Sequence, residues 1–401
     1  MKILTNLFIV LLVLFLSACG SKSKKDSSIT VDTTKKVTTT ERPSDAELHA
    51  YKAYHHTRYM VETAKQAGGT NKLLHTKDLP TEGTDPVVTP ALDHLYSKAV
   101  IDLSEGPVTV EFPDDISDRY WSIHITDQEH YTIFDEIRPV GQYTFVRKGK
   151  NMPVAHGAQV IESPGDYPHL FIRIQVKTPE DKTNTLAVQE QITLSGVSKD
   201  FMVPESDYVK HVIETHDIYP QNEGLLASVI DFDIDDYNQV FAYVGTRAYT
   251  IADNRGAFGP IDSQEPNSDN PEIRAAAIIG HLGLPAEHAI YIPQFINCDG
   301  KPLNGDKTEV FTFAYEPAGV KEFWSITRYS AITRNTLAGK NDVYNAYNTQ
   351  PDDNGNITIT FSVEDPKDGT YWMPVNAGEP YYFIARYYSP DLNNIPPNPC
   401  D

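Results

Sequence analysis

Val108-Thr-Val-Glu-Phe112, a polar Asp114-Asp-Ile-Ser-Asp118, then Arg119-Tyr-Trp-Ser-Ile-His-Ile-Thr-Asp127 is the stretch on which the fold turns. Val108, Val110 and Phe112 share one parity, and Trp121, Ile123 and Ile125 share another. Period-two alternation is what a half-buried antiparallel strand requires. Two such runs joined by a short polar turn predict a hairpin with one face in a core.

Working outward, the same pattern recurs in both halves of the chain. Leu170-Phe-Ile-Arg-Ile-Gln-Val176 is a longer apolar strand with Arg173 set inside it. Ile357, Ile359, Phe361 and Val363 alternate with Thr358, Thr360 and Ser362. Asp299-Gly300, Asn304-Gly305, Asn354-Gly355 and Asp368-Gly369 are turn dipeptides. Between the halves the period changes to that of helices. Pro204-Glu-Ser206 leads into Val209, Val212 and Ile213, and Leu225, Leu226, Val229 and Ile230 suit a second helix. Asn270-Pro271 is an N-cap followed by a first-turn proline, opening a helix from Ile273 to Leu282. Strands at short spacing without a βαβ rhythm predict a mainly β chain with α segments. The expected architecture is two antiparallel β-sandwich or jelly-roll-like domains joined by a helical middle segment.

The boundaries follow from composition. Residues 1–18 form a leader, 19–43 a polar tether and 44–200 an N-terminal helix plus the first sandwich. Residues 201–285 form the helical bridge and 286–401 the second sandwich. Ser44 with Glu47 is a capping-box pattern, and Gly68-Gly69 should end the helix that it opens. A chain of 401 residues, 40% of them hydrophobic, has ample material for two cores. A net charge of −21 argues against nucleic acid as a partner.

The leader carries Lys2 and an apolar run from Leu7 to Leu16, too short to span a bilayer. It ends in Leu16-Ser-Ala-Cys19-Gly20, which resembles the lipobox of bacterial lipoproteins. That resemblance implies acylation of Cys19 and attachment to the cell envelope through lipid, with the protein facing the periplasm, and Gly20 resembles the outer-membrane-destined class. Cys298 and Cys400 remain; in an oxidising compartment they form a disulfide or stay as two thiols, and both options are open.

A family resemblance covers roughly residues 47–390. Asp93-His94-Leu95-Tyr96-Ser97, Asp102-Leu-Ser-Glu-Gly-Pro107, Arg119-Tyr-Trp-Ser122, Asp127, Arg173 and Asp181 resemble the bacterial domain of unknown function numbered 1254. Arg274-Ala-Ala, Asp299-Gly300, Leu303 with Gly305, Phe323-Trp-Ser-Ile-Thr327, Asn335, Trp372-Met-Pro374 and Arg386-Tyr-Tyr-Ser-Pro390 resemble its usual partner, numbered 1214. The chain departs from the second pattern after Asn335, where Asn341-Asp-Val-Tyr-Asn345 stands in place of the usual Arg-Tyr-Ser. The resemblance implies two jelly-roll-like domains and no particular activity. Phe323-Trp-Ser-Ile-Thr327 also echoes Tyr120-Trp-Ser-Ile123, as a duplicated sandwich unit would.

Three groups of residues could carry chemistry. His124, Asp127 and His130 close the Trp121 strand and are the candidate catalytic set, able to supply a general acid and base. His124 and Asp127 differ in parity, so the three converge only if a bulge or turn follows Ile125. Arg173 and Arg386, each inside an apolar strand, are candidate ligand-binding residues together with Trp324, because a guanidinium fork suits carboxylates. Asp231-Phe-Asp-Ile-Asp-Asp236 begins like a calcium loop, but the glycine and glutamate such a loop needs are absent, so an acidic helix–loop edge is the better reading. No metal or cofactor motif is present. The favoured expectation is an envelope lipoprotein that binds a glycan, a small molecule or an envelope partner. The competing one is a hydrolase or lyase acting on a polysaccharide or ester. The sequence leaves the oligomeric state open.

Overall fold

The two runs flanking Asp114 are strands, but they do not pair with each other. The computed structural model describes residues 41–80, 88–114, 118–248, 251, 253–337 and 342–400. The leader, Cys19 and nearly all of the tether therefore lie outside the described residues.

After helix α1 (Asp45–Ala67) the first half contains nine strands. They are β1 (Leu74–His75), β2 (His94–Val100), β3 (Val108–Phe112), β4 (Trp121–Thr126), β5 (Thr132–Ile137), β6 (Gly141–Arg147), β7 (Gln159–Ser163), β8 (His169–Gln175) and β9 (Thr193–Ser195). One sheet has the order β1-β2-β8-β4-β5 and the other β7-β6-β3-β9. The expected hairpin is thus wrong: β3 and β4 sit in opposite sheets. Val108, Val110 and Phe112 face Trp121, Ile123 and Ile125 across one shared core. Alternation fixes which face a strand buries but not which neighbour it pairs with.

The second half repeats this plan with β10 (Ala289–Gln294), β11 (Glu309–Ala314), β12 (Trp324–Ser330), β13 (Val343–Asn345), β14 (Asn356–Ser362), β15 (Tyr371–Pro374) and β16 (Tyr381–Tyr388). The sheets run β10-β16-β12-β13 and β11-β14-β15 and enclose a core around Trp324, Phe361 and Phe383. Both halves are open sandwiches rather than closed barrels, as expected. Cys298 and Cys400 are joined by a disulfide.

The middle segment is small and helical, with α2 (Lys182–Gln189) before it and α3 (Tyr208–Thr215), α4 (Ile234–Arg247) and α5 (Pro271–Ala277) within it. α1 packs on α3, α4 and α5 and against β2, burying Leu48, Tyr51 and Tyr54 with Val212, Tyr237 and Val244. The capping box forms as expected: the Ser44 side chain accepts from Glu47 N–H, the Glu47 carboxylate accepts from Ser44 N–H, and Gly68 ends the helix at φ 77. Asp233 caps α4 with Asp236, so the acidic run serves as a helix start. The helix expected to run to Leu282 stops at Ala277, and a 3-10 turn over Ile278–Gly280 redirects the chain inward. No helix of the described residues is long and apolar enough to cross a membrane.

Candidate functional site

The central strands of each half bury both faces. In β4 and β8 the apolar parity (Trp121, Ile123, Ile125, Leu170, Ile172, Ile174) fills the sandwich. The opposite parity (Ser122, His124, Thr126, His169, Arg173, Gln175) is polar and equally buried, under α1, the middle segment and the second half. β12 and β16 behave alike, turning Ser325, Thr327, Arg386 and Tyr388 away from their own core. The two halves meet through these second faces. Phe323 stacks on Tyr388 at 4.2 Å, and both contact Tyr120 and His94.

The register is the same in both halves. Arg173 lies between Tyr96 and Ser122 on its neighbouring strands, and Arg386 lies between Tyr291 and Ser325. This matched ladder gives the Trp-Ser-Ile echo a structural counterpart. Arg173 donates through Nη2 to Leu282 O and rests over Phe171 at 4.7 Å. Arg386 donates through Nη2 to Thr89 O at 2.9 Å and Tyr329 OH at 2.8 Å. Among the described residues neither Nη1 has a hydrogen-bond partner.

Between β4 and β5 the loop Asp127–Tyr131 is buried along its whole length, with each residue at most 3% exposed. A buried polar loop must satisfy its own backbone. Asp127 does much of this, accepting through Oδ1 from Glu129 N–H and Tyr131 N–H, both at 2.9 Å, and through Oδ2 from Tyr219 OH at 2.7 Å. The condition set by strand parity is met, since the β4–β5 register shifts between Ile125 and Thr126. Even so, the carboxylate and the two rings part company. Asp127 turns toward His216, Tyr219 and Glu129, whose Oε2 accepts from Asn222 at 2.8 Å. His130, at φ 65, turns the other way.

That other side is a cluster of histidines. His130 stacks on His281 at 4.8 Å, and His56 of α1 meets both edge-on at 5.1 and 5.0 Å. His56 Nδ1 lies 2.8 Å from His281 Nε2, and its Nε2 lies 3.1 Å from Thr126 Oγ1. His169 contacts His56 at 5.5 Å, and His124 bonds Thr132 Oγ1 at 2.8 Å. Desolvation holds all five rings far below the usual histidine range, which favours their neutral form, with one unprotonated nitrogen per ring. Lys52 sits 4.0 Å over the Tyr131 ring, between the histidines and the acids. Burial pushes its ammonium down, and burial together with Asp127 pushes the Glu129 carboxyl up.

Beside this cluster a cavity of about 160 Å³ opens between the middle segment and the second half. Phe258, Ala276, Ile279, Tyr291, Phe295, Tyr382 and Ile384 make its apolar wall, and Arg334 and Arg386 supply its charge. Trp324 is elsewhere: it fills the second core, with its ring N–H donating to Tyr315 O. The six candidate residues therefore do not converge on one pocket. Arg173, His124 and His130 share the first buried face, Asp127 belongs to the acidic side, and Arg386 alone reaches the cavity.

Comparison with known proteins follows the division into halves. Residues 70–196 match the family model described as Protein of unknown function (DUF1254). Residues 288–392 match DUF1214. The two matches fall in that order along the chain. No curated protein matches it in sequence. The crystal structure of the VPA0106 protein from Vibrio parahaemolyticus superposes with a TM-score of 0.64 at 22% identity, over 87% of this chain and 95% of that one. An uncharacterized protein from Burkholderia cenocepacia aligns with a TM-score of 0.48 at 12% identity, over 88% of this chain and 89% of that one. The first likeness shows a shared fold.

The candidate residues fall unevenly over the two spans. His124, Asp127, His130 and Arg173 lie in the span that matches DUF1254, and Trp324 and Arg386 in the span that matches DUF1214. His56 and His281 lie in neither; they come from α1 and from the end of the middle segment. Sequence reading passed over both, since a histidine on a helix and one between Gly280 and Gly283 carry no spacing signal. Arg119 and Asp181 form a two-bonded fork at 2.9 and 3.0 Å that pins the start of β4 to the start of α2. Burial alone would raise the Asp181 carboxyl, but Arg119 and its other donors hold it below the usual range. Their role is structural.

Proposed function

We propose that the protein binds a small amphipathic carboxylate, placing an apolar or aromatic body in the cavity and its carboxylate on Arg386. The observation that carries this reading is the unpaired Arg386 Nη1. The residue lines the cavity, is 3% exposed, and its bonded partners, a carbonyl and a phenol, are both neutral. The buried Asp93 balances part of its charge, but Nη1 has no partner among the described residues, and the guanidinium fork fits a carboxylate. A dry cavity of about 150 Å³ takes one benzene ring, which sets the scale of the ligand body. Aliphatic and aromatic walls favour such a molecule over a glycan. The hydrolase or lyase reading has less support, because Asp127 is committed to its loop and His124 to Thr132.

The test is calorimetric titration of the purified protein with benzoate and hexanoate beside benzamide and hexanol, together with mass spectrometry of any molecule retained on purification. Carboxylate-selective binding that Arg386→Met removes is the expected result. Equal affinity for the neutral analogues, or no binding and nothing retained, would sink the idea.

The leader supports a second part of the reading, that the protein is a lipoprotein of the cell envelope facing the periplasm and acylated at Cys19. Cys19→Ser should then move it out of the membrane fraction. Unchanged fractionation, with no acyl mass on the mature N-terminus, would count against it.

A further inference from the structure

His56, His130 and His281 come from three segments far apart in sequence, yet each can present a ring nitrogen within 4.8 Å of the other two. All three are buried, at 0%, 3% and 6% exposure. Packing neutral imidazoles against one another desolvates nitrogens that the protein then only partly satisfies. The shortfall is visible: His281 Nδ1 has no partner among the described residues. His130 Nε2 receives only the Leu282 N–H, at 3.2 Å. His130 itself is held at φ 65, a conformation that non-glycine residues keep only where the surroundings impose it.

We propose that these three histidines bind one divalent transition-metal ion, zinc in the first instance. Three imidazoles with a fourth position left to water or substrate make a well-attested zinc environment, and an all-nitrogen set disfavours calcium and magnesium. The ion replaces the His56–His281 contact and the Leu282 bond to His130. Thr126 Oγ1, 3.1 Å from the outer nitrogen of His56, is placed to hold that ring in orientation. Asp127, across Lys52, supplies negative charge against the dication. The segment carrying His281 also forms part of the cavity wall through Gly280 and Gly283, so the ion lies next to the cavity. The site stands without the carboxylate reading, since none of its ligands touches Arg386.

The full-length protein is stripped with a chelator and titrated with zinc and with cobalt(II). Elemental analysis gives the stoichiometry, and X-ray absorption gives the coordination shell. The expected result is one ion per chain with imidazole nitrogens at about 2.0–2.1 Å. His56→Ala and His281→Ala should each weaken binding by more than the roughly 10–100-fold typical of outer-shell changes, while His75→Ala, outside the cluster, keeps it. If the ligand variants fail to fold, the wild-type absorption spectrum decides alone. No binding by the wild type, an oxygen-dominated shell, or binding lost instead on Asp135→Asn of the Asp135–Glu287–His288 group would each overturn the proposal.

Discussion

Asp127 shows how one side chain can make a buried loop possible. Its carboxylate satisfies two backbone N–H groups and one phenol. Asp127→Ala leaves two buried N–H donors and a half-buried phenol unpaired, at about 1–3 kcal/mol for each buried donor, so the loss should be about 2 kcal/mol or more. Asp127→Asn should cost less, because one acceptor oxygen remains. Urea unfolding of both variants measures the difference, and equal midpoints would mean that water reaches the loop. His49 and His124 give a second test. Burial lowers His49 to about 3 and His124 well below its usual value. Above about pH 6.5 both rings are neutral in the folded and the unfolded chain, and they contribute nothing to the pH dependence. As pH falls below that value the unfolded chain takes protons that the native one refuses, so stability drops by about 1.4 kcal/mol per pH unit for each ring. The metal-free protein should therefore weaken between about pH 6.5 and about pH 5, before ordinary carboxylates titrate. A flat urea midpoint over that window would show the rings to be hydrated. At this scale the sequence was half legible. His124, Asp127 and His130 stand out as polar residues closing an apolar strand, whereas the partners that turn His130 into a cluster are brought in by tertiary packing.

Among the elements, strand faces were readable and strand partners were not. Period two identified β3, β4, β8 and β14 and the parity each buries, but the same parity can point into a core from either sheet. The bulge after Ile125 was foreseen only as a condition, since nothing in Ile125-Thr126 distinguishes a shifted register from a regular one. The acidic helix–loop edge at Asp233 is legible, and Tyr237, Val240 and Val244 continue it at helical spacing. Trp121 and Trp324 test the assignment of faces. Each is buried in its own core, at 2% and 3% exposure, and each donates its ring N–H to a carbonyl, of Pro139 and Tyr315. Replacement by alanine should cost about 3–5 kcal/mol in either case. Thermal melts should show the transition of one half falling in each variant, and a near-wild-type melt for both would contradict the burial.

At the scale of the molecule, the two sandwiches and the helical bridge were legible from pattern alone. The burial of both faces of the central sheets was not, because alternation predicts a wet second face. The polar residues on that face look like surface until the other half covers them. The disulfide closes a segment of 102 residues, running from the end of β10 past β16. Disulfides typically contribute about 2–4 kcal/mol, so Cys298→Ala with Cys400→Ala should lower the stability of the second half by about that amount in urea. An unchanged midpoint would mean that packing around Cys400 already holds the chain end.

The matched ladder of Tyr, Arg and Ser has a use at the bench. Tyr96, Arg173 and Ser122 each have a counterpart at the same rung of the other half, in Tyr291, Arg386 and Ser325. The chain thus supplies an internal reference for its own mutagenesis. The structural cost of removing a guanidinium from a central strand is common to Arg173→Met and Arg386→Met, and the double variant shows whether the two costs add. What survives subtraction of one variant from the other is the share belonging to the cavity alone.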